Sequence, residues 1–399
     1  MKKGKTNIHS LMHYIVAAFE EIDVSYSFIE SAALWIQGVE LEEPFEVKLQ
    51  FQWDGLDTVY QRFSEHQPSP LEQDITRGSF HFDWNGIPVT MECLFNITVR
   101  TNPYRIKVVH DGAEFWCLSL YTYLYCEIPK ETEKAIHTYL LEKQQSVTTK
   151  NEEAWNQNQY MALVNRYGEP EELAVKISRN PDWRLYPFRK YLGNLKKQKV
   201  AHLMGSNGIK AVAMSLLGAH VTVVDFSKEN ERYALELAKY ANASIQYVVS
   251  DILAVTMKEE MQQDFDVVLM ELGVLHYFLD LKPLFETVAK LLRPGGKFVL
   301  HEFHPISTKL ITSTGKKHKV TGNYFDPSIV ENQVAFSKHV EADQKPALTT
   351  VLQRKWTLGE VITTAVRAGL TIEILEEEPN HKSHDIGLPK TFTLVAVKR

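Results

Sequence analysis

Four groups of residues could together hold a nucleotide-like ligand. The turn Met204-Gly205-Ser206-Asn207-Gly208 combines small side chains with a following helical pattern, so its backbone can bend sharply and aim free N–H groups at a bound molecule. Asp225 follows Gly208 at close to the roughly 20-residue spacing of an acid that accepts both ribose hydroxyls. Asp251 and Glu271 each end a further apolar run. Three carboxylates at the ends of three strands read as a site along one sheet edge, because open α/β sheets bind ligands beyond the carboxyl ends of their strands.

The elements that must position these residues follow from periodicity. Lys199 to Leu203 is an apolar strand that leads into the turn and a helix. Val221 to Asp225 is a second strand, followed by a helix over 228–241 whose Tyr233, Leu235, Leu237 and Tyr240 suit packing on a sheet. Ser244 to Asp251 and Phe265 to Glu271 supply a third and a fourth strand. Pro294-Gly295-Gly296 reverses the chain into a fifth, Lys297 to Phe303. A helix over 357–368 precedes Leu370 to Glu376 and Thr391 to Val397, a terminal antiparallel pair. A nicotinamide dehydrogenase shares the glycine turn and the later acid, but that terminal pair does not suit a dinucleotide fold.

In this order Gly205 to Gly208, Val221 to Ser227, Val249-Ser250-Asp251, Phe265 to Val268 with Gly273 to His276, and Leu291 to Lys297 resemble the motifs of class I S-adenosylmethionine-dependent methyltransferases. The resemblance extends from Trp155 to the C-terminus and implies a Rossmann-like seven-stranded α/β sheet with S-adenosylmethionine as cofactor. It implies that Gly205, Ser206, Asn207 and Gly208 hold the methionine moiety, and that Asp225, with Phe226, takes the ribose. Asp251, with Ile252, would take the adenine amine, and Glu271, Leu272 and Gly273 would form the floor beside the sulfonium. A segment before the first strand often covers the cofactor in this family, which points to Tyr160 or Trp155. The sequence departs from the family at His202, where an acid is usual, and at Met204 and Ser206, where glycine is common.

Methyl transfer is an in-line displacement in which positioning matters most, and a base is needed only for a protonated acceptor. Tyr277, Glu302 and His304 follow strands four and five, and alternation puts Glu302 and His304 on one face as the expected acid/base pair. His301 and His304 face opposite ways and His381 and His384 lie far along the chain, so no metal is expected. The insertion at 306–355 reads as a lid or substrate-binding segment, with Tyr324, Phe325, Phe336 and His339 toward the ligand.

The chain has 399 residues, of which 44% are apolar and 24% charged, with a net charge of −6. No apolar run approaches the roughly 18 residues of a membrane span, so a cytoplasmic protein with no membrane partner is expected. Its three cysteines, Cys93, Cys117 and Cys126, lack CxxC spacing and read as core residues. The excess of acid lies in the first 150 residues and argues against nucleic acid, though Lys196 to Lys199 and Lys309 to Lys319 leave an RNA acceptor open. A small-molecule acceptor is the leading expectation. A non-catalytic cofactor-binding regulator is the other alternative, and a homodimer stays open.

Residues 1–143 read as a separate α+β domain, 144–154 as a polar linker and 155–399 as the methyltransferase domain. In the front domain, helices over 11–21 and 31–38 alternate with strands near 26–29, 46–53, 79–84, 89–99 and 106–109, and a helix is expected over 116–125. Glu30 to Gly38 followed by a strand pair resembles a minimal nucleotidyltransferase. Lys48 and Gln50 stand where that family places metal-binding carboxylates, which implies an inactive module with Glu46 and Glu92 as its remaining acids.

Overall fold

The computed structural model describes residues 2–41, 46–255, 261–315, 317–340, 348–380 and 387–399. His381 and His384 lie outside them. The chain forms two compact units, Met1–Leu140 with Phe325–Pro327, and Leu141–Tyr324 with Ser328–Arg399. Among the described residues no helix is long and apolar enough to cross a membrane.

In the first unit the strands are Tyr26–Ile29 (β1), Val47–Phe51 (β2), Glu72–Gln73 (β3), Arg77–Trp84 (β4), Ile87–Leu94 (β5), Arg105–His110 (β6) and Ala113–Leu118 (β7). They form one mixed sheet in the order β3-β4-β5-β2-β1-β7-β6. Alternation along β4 and β5 turns Phe80, Phe82, Val89, Met91 and Cys93 inward, the period-2 pattern of a half-buried sheet. Two expectations fail here. Residues 116–125 are not a helix: Phe115 and Cys117 alternate inward on β7, and only Leu120–Tyr125 coils, as a 3-10 turn. Cys126 is exposed, whereas Cys93 and Cys117 are buried.

In the second unit the strands are Lys199–Leu203 (β8), His220–Asp225 (β9), Ile245–Val249 (β10), Phe265–Glu271 (β11), Leu292–Phe303 (β12), the short pairs Ile311–Thr314 (β13) with Lys317–Val320 (β14) and Ile329–Asn332 (β15) with Val351–Arg354 (β16), then Leu370–Pro379 (β17) and Pro389–Lys398 (β18). The main sheet runs β10-β9-β8-β11-β12-β18-β17, parallel up to β12 and antiparallel at β18 and β17. Order reverses between β8 and β11, and a ligand site is expected beyond the strand ends there.

Both faces of this sheet are covered, so its strands carry apolar residues on both sides. Val200, Val223, Val267, Leu269 and Val299 join the core under helices Ile209–Leu216 and Lys228–Tyr240. Ala201, Val224, Val268, Met270, Phe298 and Leu300 join the opposite core, under helices Leu281–Leu291 and Leu358–Arg367. Thr357 starts the last of these helices with a full capping box to Glu360, which satisfies two donors at its free end.

The stretch expected as a linker is instead part of a single helix, Lys130–Trp155. Its polar residues are those of a linker in type, but they bind backbone. Gln144 donates to the Tyr277 carbonyl at 2.9 Å and accepts from the Leu279 N–H at 2.7 Å. Asn151, fully buried, accepts from the Leu352 N–H at 2.7 Å and donates to its carbonyl at 3.0 Å. Replacing Asn151 with Ala strands both Leu352 groups, and a loss of roughly 2 kcal/mol is expected in urea unfolding; an unchanged midpoint would show that water replaces the amide.

Candidate active site

A cavity of about 790 Å³ opens at the carboxyl end of the second sheet, lined by Gly205, Ser206 and Asn207 of the turn, by Asp225, Phe226, Glu271, Leu272 and Gly273, and by Tyr277. A narrow annex of about 20 Å³ sits beside it between Phe226, Asp251 and Ile252, closed by Gln144, Thr148 and Asn151 of the long helix. The structure therefore brings together nearly all the positions expected to bind cofactor. Tyr160 is one exception. Its ring packs on Tyr233 at 5.8 Å and its hydroxyl binds Glu236, away from the cavity, while Trp155 takes a place in the lining. Gly208 does not line the cavity either: it starts the helix Ile209–Leu216 and keeps the turn close to Ala234, which a Cβ there would meet at 2.5 Å.

The turn bends without glycine at two of its positions. Met204 has φ 52° and Ser206 φ 46°, the left-handed region that costs a side chain on the order of 1–2 kcal/mol. Gly205 is required for packing, since a Cβ would lie 2.7 Å from His202 Nδ1 and 2.8 Å from Val223. The strained turn aims the Ser206 N–H at Asp225 Oδ2, 3.1 Å away. Asp225 Oδ1 accepts from the Ser227 N–H at 2.9 Å and from Asn230 at 3.4 Å. Burial pushes its pKa up while these donors pull it back. A carboxylate has about four lone-pair sites and three donors already use them, so taking both ribose hydroxyls requires one of these bonds to be released.

Register explains a polar cluster next to the turn. His202 on β8 pairs with Leu269, and Glu271 on β11 pairs with His301 on β12, so all three side chains share the face of the sheet that carries Val200 and Val299. Glu271 lies 3.5 Å from His202 Nε2 and 3.0 Å from Lys210 Nζ. Burial works to raise its pKa, but Lys210 and His202 outweigh it and hold the acid at about 2. Both His202 nitrogens and the Ser206 hydroxyl are buried without a hydrogen-bond partner. Unpaired polar atoms beside an ionised acid fit a ligand with its own donors and acceptors, such as an amino-acid end.

The expected acid/base pair is not in the cavity. Glu302 is 2% exposed and accepts from the N–H groups of Gly273, Val274, Leu275 and Phe303. Burial raises its pKa and all four bonds oppose that rise; since every partner is an N–H, only the ionised form satisfies them. Its role is to hold the turn after β11, where Leu272 and Gly273 have φ 42° and 82°. His304 is equally buried and has both ring nitrogens engaged, Nε2 with Glu377 at 2.7 Å and Nδ1 accepting from the Ile306 N–H at 3.2 Å. Alternation does place Glu302 on one face, but that face is the interior, and the chain has left the strand by His304.

Tyr277 does line the cavity, with its hydroxyl accepting from the Trp155 indole at 3.1 Å. Burial pushes its pKa up to about 12, so it stays a phenol that can donate a hydrogen bond but does not act as a base. Its neighbour His276, which closes the Gly273 to His276 motif, lines the cavity as well, with a pKa lowered to about 4 by burial and then by Lys355 and Lys309. From the insertion, Phe336 reaches the cavity as expected, joined by Asn332, Gln333, Gln353 and Lys355. Tyr324, Phe325 and His339 do not line it.

Glu302→Gln tests the clamp. The amide would present N–H to N–H, leaving at least one buried donor unpaired at a cost of roughly 1–3 kcal/mol. A lower Tm is expected, and a wild-type melting curve would show that the turn does not depend on the carboxylate.

Residues 204–300 match the family model described as a methyltransferase domain. No curated protein matches the chain. Similar solved structures include a Listeria monocytogenes protein assigned as an S-adenosylmethionine-dependent methyltransferase, 19% identical with TM-score 0.44 over 54% of this chain and 98% of its own. An S-adenosylmethionine-dependent methyltransferase from Mesorhizobium loti is 21% identical with TM-score 0.43 over 54% and 97%. The family match spans the Met204 turn, Asp225, Asp251, Glu271 and most of β12, the same motifs through which the sequence resembles class I enzymes. The second unit thus carries, over residues 204–300, a methyltransferase domain.

Proposed function

We propose that the protein methylates a small-molecule acceptor in the cavity above β8 and β11. The observation that carries this reading is the make-up of the cavity lining. One set of residues, the turn, Asp225 and Glu271 with Asp251 of the annex, occupies the positions expected for the cofactor. The remaining set includes Trp183, Arg184, Tyr186, His276, Phe336 and Lys355, and is left for the acceptor. Its aromatic rings and two cations suit a planar molecule bearing negative charge, and the Arg184 Nε is buried without a hydrogen-bond partner.

Within the cofactor set, Glu271 takes the place of the acid missing at position 202 and meets the ammonium of the methionine end, with Lys210 beside it for the carboxylate. Asp225 meets the ribose and Asp251 the adenine amine. The bound cofactor supplies an electrophilic methyl group. On the acceptor side Tyr277 orients by hydrogen bonding, and the apolar walls exclude water. His276 takes the acceptor's proton. A weak base suffices there, because an O–H or N–H becomes strongly acidic as the new bond to carbon forms.

The first unit serves in this reading as a non-catalytic module. Its Lys48 ammonium lies 2.8 Å from Glu30 and 3.5 Å from Glu92, so a fixed organic cation sits between the acids that would otherwise hold Mg²⁺.

Two measurements test the assignment. Asp225→Ala removes charge-assisted bonds worth roughly 1.5–3 kcal/mol each, so calorimetric titration with S-adenosylmethionine should show affinity weakened more than tenfold with the fold retained; wild-type affinity would refute the ribose role. His276→Gln should lower methyl transfer roughly 10²-fold while leaving cofactor affinity intact. Because His276 must be neutral to act, and its pKa is held near 4, the wild-type rate should stay level from neutral pH down to about 5 and fall near 4. A decline centred near the ordinary histidine value, about 6.5, would assign the base elsewhere.

A further inference from the structure

The first unit gathers three potential ligands from opposite ends of its sequence. His9 lies in the helix Lys2–Ile22, His110 ends β6, and Asp111 opens the turn into β7. Asp111 and Gly112 have φ 47° and 82°, the paired left-handed conformations of a two-residue hairpin turn. That turn carries the Asp111 carboxylate to 2.9 Å from His9 Nε2 and 4.0 Å from His110 Nε2. The two imidazoles stack at 5.4 Å with planes 25° apart, and one ligand atom from each of the three residues lies within 4.8 Å of the others. Trp35 packs against both rings, at 4.8 Å from His9 and 4.4 Å from His110. It limits how far either imidazole can swing away.

We propose that His9, His110 and Asp111 form a binding site for a divalent transition-metal ion of the Zn²⁺ class. Two imidazoles and one carboxylate are the donors such ions take, whereas Mg²⁺ and Ca²⁺ want oxygen alone. Metal–ligand bonds of about 2.0–2.1 Å in a tetrahedron put donor atoms a little over 3 Å apart, so the His9–Asp111 pair is already close to that spacing. His110 needs only a modest ring rotation to join it. The side chains of His9 and His110 are 24% and 21% exposed and that of Asp111 70%, so solvent reaches the site and water can fill the remaining position. Without a metal the same residues make a histidine–carboxylate contact. A bound ion would instead tie the start of the first helix to the β6–β7 hairpin, linking parts of the unit that are remote in sequence.

The test uses the full chain without an affinity tag, stripped with a chelator and titrated with ZnCl₂ by calorimetry. Saturable one-to-one binding is expected, together with a rise in Tm. His110→Ala and Asp111→Asn should each weaken it by tenfold or more while S-adenosylmethionine affinity stays unchanged. Asn tolerates the left-handed turn position, so Asp111→Asn separates loss of a ligand from loss of the hairpin. Absence of stoichiometric Zn²⁺ binding, or binding that both variants retain, overturns the proposal.

Discussion

The Glu302 carboxylate, buried in β12 and bonded to four backbone N–H groups, is the constraint on which the site depends. The chain after β11 leaves the sheet edge through two left-handed residues, Leu272 and Gly273; the Leu272 N–H still bonds the His301 carbonyl on β12, and the next three amides turn to Glu302. A single acid supplies acceptors for all three and for Phe303. Leu272, Gly273, Val274, His276 and Tyr277 can then line a cavity instead of collapsing into it. An ionised group in so apolar a place is stable only because each of its bonds is charge-assisted and none competes with water.

On the other face of the same strands, charge is arranged in the opposite sense. Glu302 is saturated, whereas the cluster of His202, Glu271 and Lys210 leaves both His202 nitrogens unpaired beside an acid held at about 2. A structural cluster would pair these atoms. These atoms lie next to a turn strained at Met204 and Ser206, and Ser206 and Glu271 reach the cavity while His202 stays beneath it.

The sheet was legible in the sequence because its signal is local. Short apolar runs on β8, β9, β11, β12 and β18, the Pro294-Gly295-Gly296 reversal and the closing strand pair each declare themselves within ten residues or so. Residues 116–125 misread for the same reason: a short aromatic run fits a helix or a strand equally, and only pairing of β7 with β1 and β6 separates them. The polar run at 144–151 looked like a linker because side chains that bind buried backbone are indistinguishable, in sequence, from side chains that bind water.

The sequence by itself determined the order of strands, the turn that starts the cofactor half and the acids at the strand ends, since strand periodicity and glycine positions are short-range properties of the chain. Tertiary structure alone decided which of those groups is chemical and which is structural. Glu302, His304 and His276 lie within thirty residues of one another and carry similar chemistry, yet one clamps a turn, one is locked to Glu377 and one faces the cavity. What separates them is burial and the partners brought in from β11, β17 and the insertion, and those contacts exist only once distant segments have packed.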